Sequence, residues 1–234
     1  MNVLLFGATG MVGQGVLREC LLDTGVERVL AVGRSAVDAV FLGRMAGAAA
    51  ATGRPVAKLR ELIVPDVANL AGVEAELAGF DACFFCLGVS SIGMAEPEYV
   101  RLTHDLTLAV ARTVVRHSPG ATFVYVSGAG TDTTEHGRSM WARVKGRTEN
   151  ELLRLPFKAA YMFRPGAIVP LHGVRSKTSW VRLIYLAAAP IVPLWRALSP
   201  ATITTSEQVG RAMLRVAREG YPQPILETSD INRL

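Results

Sequence analysis

Apolar residues occur along the chain in short continuous runs, and a longer helix-like stretch follows most of them. Continuous apolar runs are typical of strands in a parallel sheet that is covered on both faces. Their alternation with helices predicts right-handed βαβ units and a doubly wound α/β fold. The predicted strands lie near residues 2–7, 27–33, 60–65, 81–88, 121–127, 158–164 and 224–228. The predicted helices lie near residues 11–23, 36–50, 67–78, 97–117, 139–154, 177–189 and 205–219.

The glycines that follow the first apolar run make the fold prediction more specific. Val3–Phe6 leads into a Gly-x-x-Gly-x-x-Gly loop at residues 7–13. Such a loop turns sharply off a strand, brings backbone close to a pyrophosphate and presents the next helix's N–H groups to the phosphates. We therefore predict a Rossmann-type sheet with a dinucleotide site; a tight structural turn is the alternative. The predicted contacts are Gly7, Thr9, Gly10, Met11, Val12 and Gly13.

The residues after the second and third strands bear on the choice of dinucleotide. An NAD site usually has an acidic residue after the second strand, whereas this chain has Arg34 and Ser35. A guanidinium can bind the 2′-phosphate of NADP through two hydrogen bonds, so NADP(H) is favoured over NAD(H). An ordinary exposed arginine is the alternative. Asp66, with Val67, either accepts a hydrogen bond from adenine or caps a helix.

Four further segments continue the pattern that the glycine loop begins; they are residues 87–90, 125–130, 141–146 and 163–166. Together the five motifs resemble the short-chain dehydrogenase/reductase superfamily, and more narrowly its atypical branch of Tat-interacting-protein-like and epimerase-like NAD(P)H-binding proteins. The resemblance covers nearly the whole chain.

The resemblance implies a reactive site in which one family residue is replaced. In the family a Ser and a Tyr-x-x-x-Lys pair act on the substrate oxygen, with Tyr as the proton donor or acceptor. Ser127 and Lys145 match the Ser and the Lys, but Trp141 stands where the Tyr is expected. An indole N–H donates a hydrogen bond and does not supply a proton as Tyr does. The candidate substitutes for the Tyr are His136, Ser139, Tyr99 and Ser127 acting through water.

Further cofactor contacts follow from the same resemblance. Leu87, Gly88 and Val89 are expected beneath the cofactor, and Pro165 and Gly166 beside its nicotinamide amide. Lys145 is expected to bind the nicotinamide ribose. The role of Arg164 stays open between a phosphate or carboxylate contact and packing.

Composition limits the range of partners. Hydrophobic residues make up 50% of the 234 residues, which fits one domain spanning residues 1–234. The net charge of +5 is spread along the chain, so no nucleic-acid partner is predicted. Cys83 and Cys86 have CxxC spacing inside an apolar run, where they are expected to face opposite sides of a strand, so no metal site is predicted.

Two segments bear on location and substrate. The first strand begins near residue 2 and leaves no room for a signal peptide, which predicts a cytoplasmic protein. The apolar segment 183–195 is too short to span a membrane and is expected to pack over the substrate pocket or meet an apolar partner, with peripheral membrane contact as the alternative. From about residue 166 the chain is expected to cover the substrate side, with His172, Trp180 and Trp195 in an apolar wall.

Two functions remain open at this point. The first is an NADP(H)-dependent oxidoreductase or epimerase-like enzyme for a small apolar carbonyl or alcohol. The second is a non-catalytic NADP(H)-binding redox sensor or scaffold, which Trp141 favours. The oligomeric state is not indicated.

Overall fold

The computed structural model describes residues 1–51, 58–174 and 201–234. Its centre is a seven-stranded sheet in which every pairing is parallel, in the order β3-β2-β1-β4-β5-β6-β9. A second, two-stranded parallel sheet pairs β7 with β8. The strands are β1 Asn2–Phe6, β2 Arg28–Gly33, β3 Leu59–Ile63, β4 Ala82–Phe85, β5 Thr122–Val126, β6 Ala159–Arg164, β7 Ala167–Val169, β8 Ile203–Thr205 and β9 Ile225–Glu227.

Helices cover both faces of the large sheet. The α-helices are α1 Met11–Leu22, α2 Ala39–Ala51, α3 Glu96–Val100, α4 Leu106–His117, α5 Met140–Leu152, α6 Ser206–Glu219 and α7 Thr228–Arg233. A π-helical turn, Arg101–Asp105, joins α3 to α4, and a 3₁₀ turn spans Glu74–Leu77. This is the predicted doubly wound, Rossmann-type α/β fold.

Each face of the sheet has its own hydrophobic core. On one face, residues of α1 and α6 such as Val16 and Met213 pack against the sheet. On the other face, residues of α4 and α5 such as Val114 and Leu152 pack beside the aromatic rings of Phe85 and other sheet residues. Both faces are apolar, which explains why the strands are continuous hydrophobic runs.

The helices α1 and α6 lie side by side although they are far apart in sequence. Arg211 Nε of α6 lies 3.2 Å from Glu19 Oε2 of α1. Near the other end of the pair, Arg218 Nη1 donates to Asp23 Oδ2 at 2.9 Å. Together with the apolar contacts between them, these ion pairs fasten the first helix to the last third of the chain.

The structure corrects three parts of the sequence prediction. The helix predicted over 67–78 is wrong, because turns occupy this segment up to the short 3₁₀ turn and Gly72 has a φ of +83°. The sequence analysis predicted neither the pairing of β7 with β8 nor the helix α7, which follows a capping box at Glu227. The helix predicted over 177–189 and the apolar segment 183–195, with Trp180 and Trp195, lie outside the described residues.

Two further features concern cysteines and membranes. Cys83 packs in one core and Cys86 against the other, so the two thiols face opposite sides as predicted, and burial raises the pKa of both. Within the described ranges, no three His, Cys, Asp or Glu side chains gather as metal ligands would. No helix of those ranges combines the length and the hydropathy needed to cross a bilayer.

Candidate functional site

The glycine loop joins β1 to α1 with very little space between backbone segments. Gly7 has a φ of +89°, which L side chains rarely adopt. A Cβ atom at Gly13 would lie 2.0 Å from the carbonyl oxygen of Gly7. The first turn of α1 therefore rests directly on the loop, and a side chain at residue 13 has no room.

The N-terminus of α1 is open on its outer side. Gly10 is the N-cap residue, no side chain in the described ranges caps the helix, and no acidic residue lies in its first turn. Among the residues that the structure describes, a Cβ atom at Gly10 would meet only the Gly7 oxygen, at 3.4 Å, and one at Gly88 would meet no atom within 4 Å. Free N–H groups with empty space beside them are what a pyrophosphate requires, so the residues fit a dinucleotide.

A cleft of about 90 Å³ lies beside this loop, at the carboxyl ends of β1, β2 and β3. Arg34 is exposed there, and in the described part of the chain no carboxylate pairs with it. The structure thus places Gly7, Thr9, Arg34 and Ser35 around one space, as the sequence predicts. The lining residues are Gly7, Ala8, Thr9, Ala31, Val32, Gly33, Arg34, Ser35, Val37, Glu61, Val67 and Leu87.

Asp66 and Val67 differ in their relation to this cleft. Val67 lines it, whereas Asp66 does not. The Asp66 side chain is exposed and accepts the N–H of Ala68 at 2.9 Å, so it caps a turn. This is the capping role weighed from the sequence, although the segment that it caps is a turn and not a helix.

Ser127 and Lys145 come together at the carboxyl end of β5. The Lys145 ammonium donates a hydrogen bond to the backbone carbonyl of Ser127. The Ser127 hydroxyl is the donor to two acceptors, Glu149 Oε1 at 2.5 Å and the carbonyl oxygen of Phe163 at 3.1 Å. The hydroxyl hydrogen is therefore engaged within the protein.

Lys145 titrates close to neutral pH. Burial lowers the pKa of Lys145 to about 8, because the charged form loses hydration, while the nearby Glu149 carboxylate acts in the opposite direction. Lys145 and Glu149 are four residues apart on α5, so their side chains share one face of the helix. An appreciable fraction of this amine is neutral near pH 8.

Glu149 is the centre of a buried polar network. Its side chain is fully buried, and the Arg164 Nε lies 3.1 Å from its Oε1. Arg164 also reaches Glu227, with Nη1 3.3 Å from Oε1. Burial alone would lower the pKa of Arg164, but its hydrogen bonds to the two carboxylates raise it above the ordinary value. Arg164 thus binds carboxylates of its own chain, one of the alternatives left open by the sequence.

Trp141 lies in the first turn of α5, next to the loop that follows β5. A Cβ atom at Gly130 would lie 3.6 Å from the indole ring, so the ring covers this glycine. Tyr99, a candidate substitute for the missing Tyr, is only 1% exposed, and burial raises its pKa. His136 and Ser139 are both exposed.

The remaining predicted contacts are divided between open space and packing. Leu87 lines the cleft, and Gly88 and Val89 are exposed beside it. The Pro165 carbonyl accepts the N–H of Ala129 at 2.9 Å. A Cβ atom at Gly166 would lie 2.3 Å from the Thr202 oxygen, so this glycine is needed for packing. His172 of the predicted apolar wall pairs with Glu207.

Sequence reasoning missed two carboxylates that the structure places at the site. Glu149 lies four residues after Lys145, and this spacing on one helix could have revealed it. Glu61 lies in β3 and reaches the cleft beside Arg34. The only sequence signal for Glu61 was a pair of charged residues, Arg60 and Glu61, between the apolar residues of β3.

The chain was compared with known proteins. No family model matches it. It is 29% identical over 170 residues to the protein fmp52, mitochondrial, of Emericella nidulans, a match that covers 71% of this chain and 66% of the relative. A relative of the same name from Eremothecium gossypii is 27% identical over 171 residues, covering 72% of this chain and 67% of that protein. The chain therefore spans about two-thirds of the length of these relatives.

Solved structures extend the likeness over the whole chain. A UDP-glucose 4-epimerase from Bifidobacterium longum, in complex with NAD+ and UDP, has a TM-score of 0.70 at 17% identity, covering 97% of this chain and 76% of the epimerase. A short-chain type dehydrogenase/reductase from Mycobacterium ulcerans has a TM-score of 0.68 at 16% identity, covering 98% and 89%. The chain has the fold of the short-chain dehydrogenases/reductases and NAD-dependent epimerases.

The comparison corrects the predicted location. The curated relatives are named as mitochondrial proteins, so the prediction of a cytoplasmic protein is wrong. That prediction rested on the early start of β1. The position of a strand determines where the folded domain begins, and it carries no information about the compartment.

Proposed function

We propose that the chain is an NADP(H)-dependent oxidoreductase or epimerase-like enzyme that acts on a small apolar carbonyl or alcohol. The observation that carries this proposal is the uncapped N-terminus of α1 beside a cleft containing Arg34. Arg34 has no carboxylate partner in the described ranges, so its charge is available to a ligand. A dinucleotide with a 2′-phosphate suits both features.

In this proposal the first half of the chain holds the adenosine and the phosphates. The glycine loop, Gly7 to Gly13, binds the pyrophosphate through backbone N–H groups. Arg34 and Ser35 bind the 2′-phosphate, and Val67 lies on the adenine side. Leu87, Gly88 and Val89 border the path of the cofactor, where a Cβ at residue 88 would meet no atom of the described part of the chain within 4 Å.

The second half orients the reacting end. The cofactor, when bound, supplies the hydride chemistry. Lys145, which the Ser127 carbonyl holds in place, binds the nicotinamide ribose, and Pro165 and Gly166 shape the loop at the nicotinamide amide. Trp141 forms a wall of the substrate space and offers an indole N–H as a hydrogen-bond donor.

The proposal is tested by titrating Trp fluorescence with NADPH and with NADH. We expect NADPH to bind more tightly than NADH to the unmodified protein. Arg34→Ala should weaken NADPH binding about tenfold or more and leave NADH binding unchanged, because only NADPH carries the 2′-phosphate. Arg154→Ala, which removes another exposed arginine outside the cleft, is the matched control. No binding of either dinucleotide would overturn the proposal.

A non-catalytic NADP(H)-binding sensor is the second candidate, and the state of Ser127 favours it. Its hydroxyl donates to Glu149 inside the protein, and Trp141 replaces the proton-transferring Tyr. NADPH oxidation over a panel of aldehydes, ketones and quinones separates the two functions. Turnover by the unmodified protein that Ser127→Ala abolishes supports the enzyme. Turnover that appears only in Trp141→Tyr supports the sensor.

A further inference from the structure

Glu61 brings a negative charge into the cleft from a strand that the dinucleotide motif does not include. It lies in the middle of β3, paired in register with Ala31 of β2. Paired residues of neighbouring parallel strands point to the same face of the sheet. Ala31 belongs to the core beneath α1, so Glu61 also points to the side on which the glycine loop lies. It lines the same cleft as Arg34 and Ser35.

One carboxylate oxygen of Glu61 fixes the segment that carries Arg34. The Val37 N–H donates to Glu61 Oε1 at 2.6 Å. Val37 itself is buried, so the segment between β2 and α2 is anchored at this point. Glu61 therefore does two things: it accepts a backbone hydrogen bond that shapes the Arg34–Ser35 segment, and it places a charge in the cleft.

The charge of Glu61 is not neutralised by the arginine nearby. No ion pair joins Glu61 to Arg34, and the ion pairs of the described residues do not include Glu61 at all. The side chain is half-buried, so water screens it only in part. A dianionic 2′-phosphate bound by Arg34 would be repelled by this carboxylate, whereas the uncharged ribose hydroxyl of NADH would not.

We propose that Glu61 is a specificity-determining residue that weakens NADPH binding and so reduces the preference of the site for NADPH over NADH. This inference rests on the proposed dinucleotide-binding function. Arg34 attracts the 2′-phosphate and Glu61 opposes it, so the preference between the two cofactors is set by a pair of residues on different strands. The position after β2, on which the sequence prediction relied, contains only one of the two.

The test uses Glu61→Gln, which removes the charge and keeps an oxygen that can accept the Val37 N–H. We expect NADPH to bind about tenfold more tightly and NADH binding to stay the same, so that the ratio of the two dissociation constants moves towards NADPH. The gain should shrink in about 1 M salt, where the screening length is about 3 Å. Glu74→Gln is the matched control, since Glu74 accepts the Gly72 N–H at 2.7 Å outside this cleft.

An unchanged ratio of dissociation constants in Glu61→Gln would overturn the inference and leave the proposed function standing. If the unmodified protein binds neither dinucleotide, the proposed function fails and the inference fails with it. Glu61→Met provides a second variant without charge, in which the Val37 acceptor is also lost. The same shift towards NADPH in both variants assigns the effect to charge, and a shift in Glu61→Met alone assigns it to the loop and contradicts the inference.

Discussion

The carboxyl ends of β1 to β3 and those of β5 and β6 differ in whether their polar groups are hydrogen-bonded within the protein. At the ends of β1 to β3, the helix N-terminus is uncapped and Arg34 has no ion-pair partner in the described residues. At the ends of β5 and β6, Ser127, Glu149 and Arg164 are bound to one another in a buried network. The adenosine side is open to a ligand, whereas much of the reactive side is satisfied internally.

This difference separates what holds a cofactor from what would act on a substrate. The free N–H groups and the unpaired guanidinium are hydrogen-bonded to water. A ligand can therefore replace that water without breaking a hydrogen bond within the protein, which favours binding. A hydroxyl already bound to a buried carboxylate is held in place and serves the architecture first. Each prediction below tests one side of this comparison.

The largest effect is expected from removing the centre of the buried network. Glu149→Ala should lower the free energy of unfolding by about 3–5 kcal/mol, because Arg164 is left as a buried charge without its main partner. Urea denaturation measures the loss. Glu96→Ala is the control, since its ion pair with Arg143 is exposed and should contribute at most about 1 kcal/mol. A similar small loss in both variants would show that the reactive side does not depend on the network.

Two substitutions in the glycine loop should affect different properties, one the stability of the fold and the other dinucleotide binding. Gly13→Ala should cost about 3 kcal/mol of stability, because its Cβ would lie 2.0 Å from the Gly7 oxygen. Gly10→Ala should leave stability within about 0.5 kcal/mol and weaken dinucleotide binding, because the added methyl group occupies the space open to the pyrophosphate. Thermal melts and fluorescence titrations measure the two properties. Equal NADPH affinity in Gly10→Ala and the unmodified protein would contradict the open site.

Lys145 makes the stability of the reactive side depend on pH. Burial lowers its pKa to about 8 in the folded protein, against an ordinary value of 10.5. Between these values the unfolded chain binds more protons than the folded one, so stability rises with pH across this range. The contribution should be about 2 kcal/mol after allowance for partial exposure. In Lys145→Met this part of the rise should disappear from urea midpoints measured between about pH 7 and 10.5; an identical rise in both proteins would rule the effect out.

The smallest effect is expected at a glycine that, unlike Gly13, has space for a Cβ atom. A Cβ at Gly43, on the exposed side of α2, would meet no atom of the described residues within 4 Å. Gly43→Ala should therefore raise stability by about 0.5–1 kcal/mol, through helix propensity alone. The same melts that follow Gly13→Ala measure it. A loss of stability at Gly43 would show that space around a Cβ does not separate the two kinds of glycine.

The sequence predicted the sheet well, because buried parallel strands are continuous apolar runs. The sequence also predicted that Ser127 and Lys145 share one site and that Arg34 lies near the glycine loop. It failed over 67–78, where Asp66 caps a turn and Gly72 adopts a positive φ, since capping residues and glycines serve turns as readily as helices. Glu61 was missed because β2 pairs with β3, and this pairing brings a distant carboxylate beside Arg34. Such contacts depend on tertiary structure and leave little local pattern.

The pairing of α1 with α6 has a consequence for how the chain is made. A ribosome synthesises Glu19 of α1 192 residues before Arg211, whose Nε lies 3.2 Å from Glu19 Oε2 in the folded protein. Until α6 emerges, it cannot cover the apolar side of α1, which includes Val16 and Leu17. Contacts of such long sequence separation slow folding and expose hydrophobic surface to aggregation. During translation this apolar surface of α1 therefore stays without its α6 partner until residue 219 has left the ribosome.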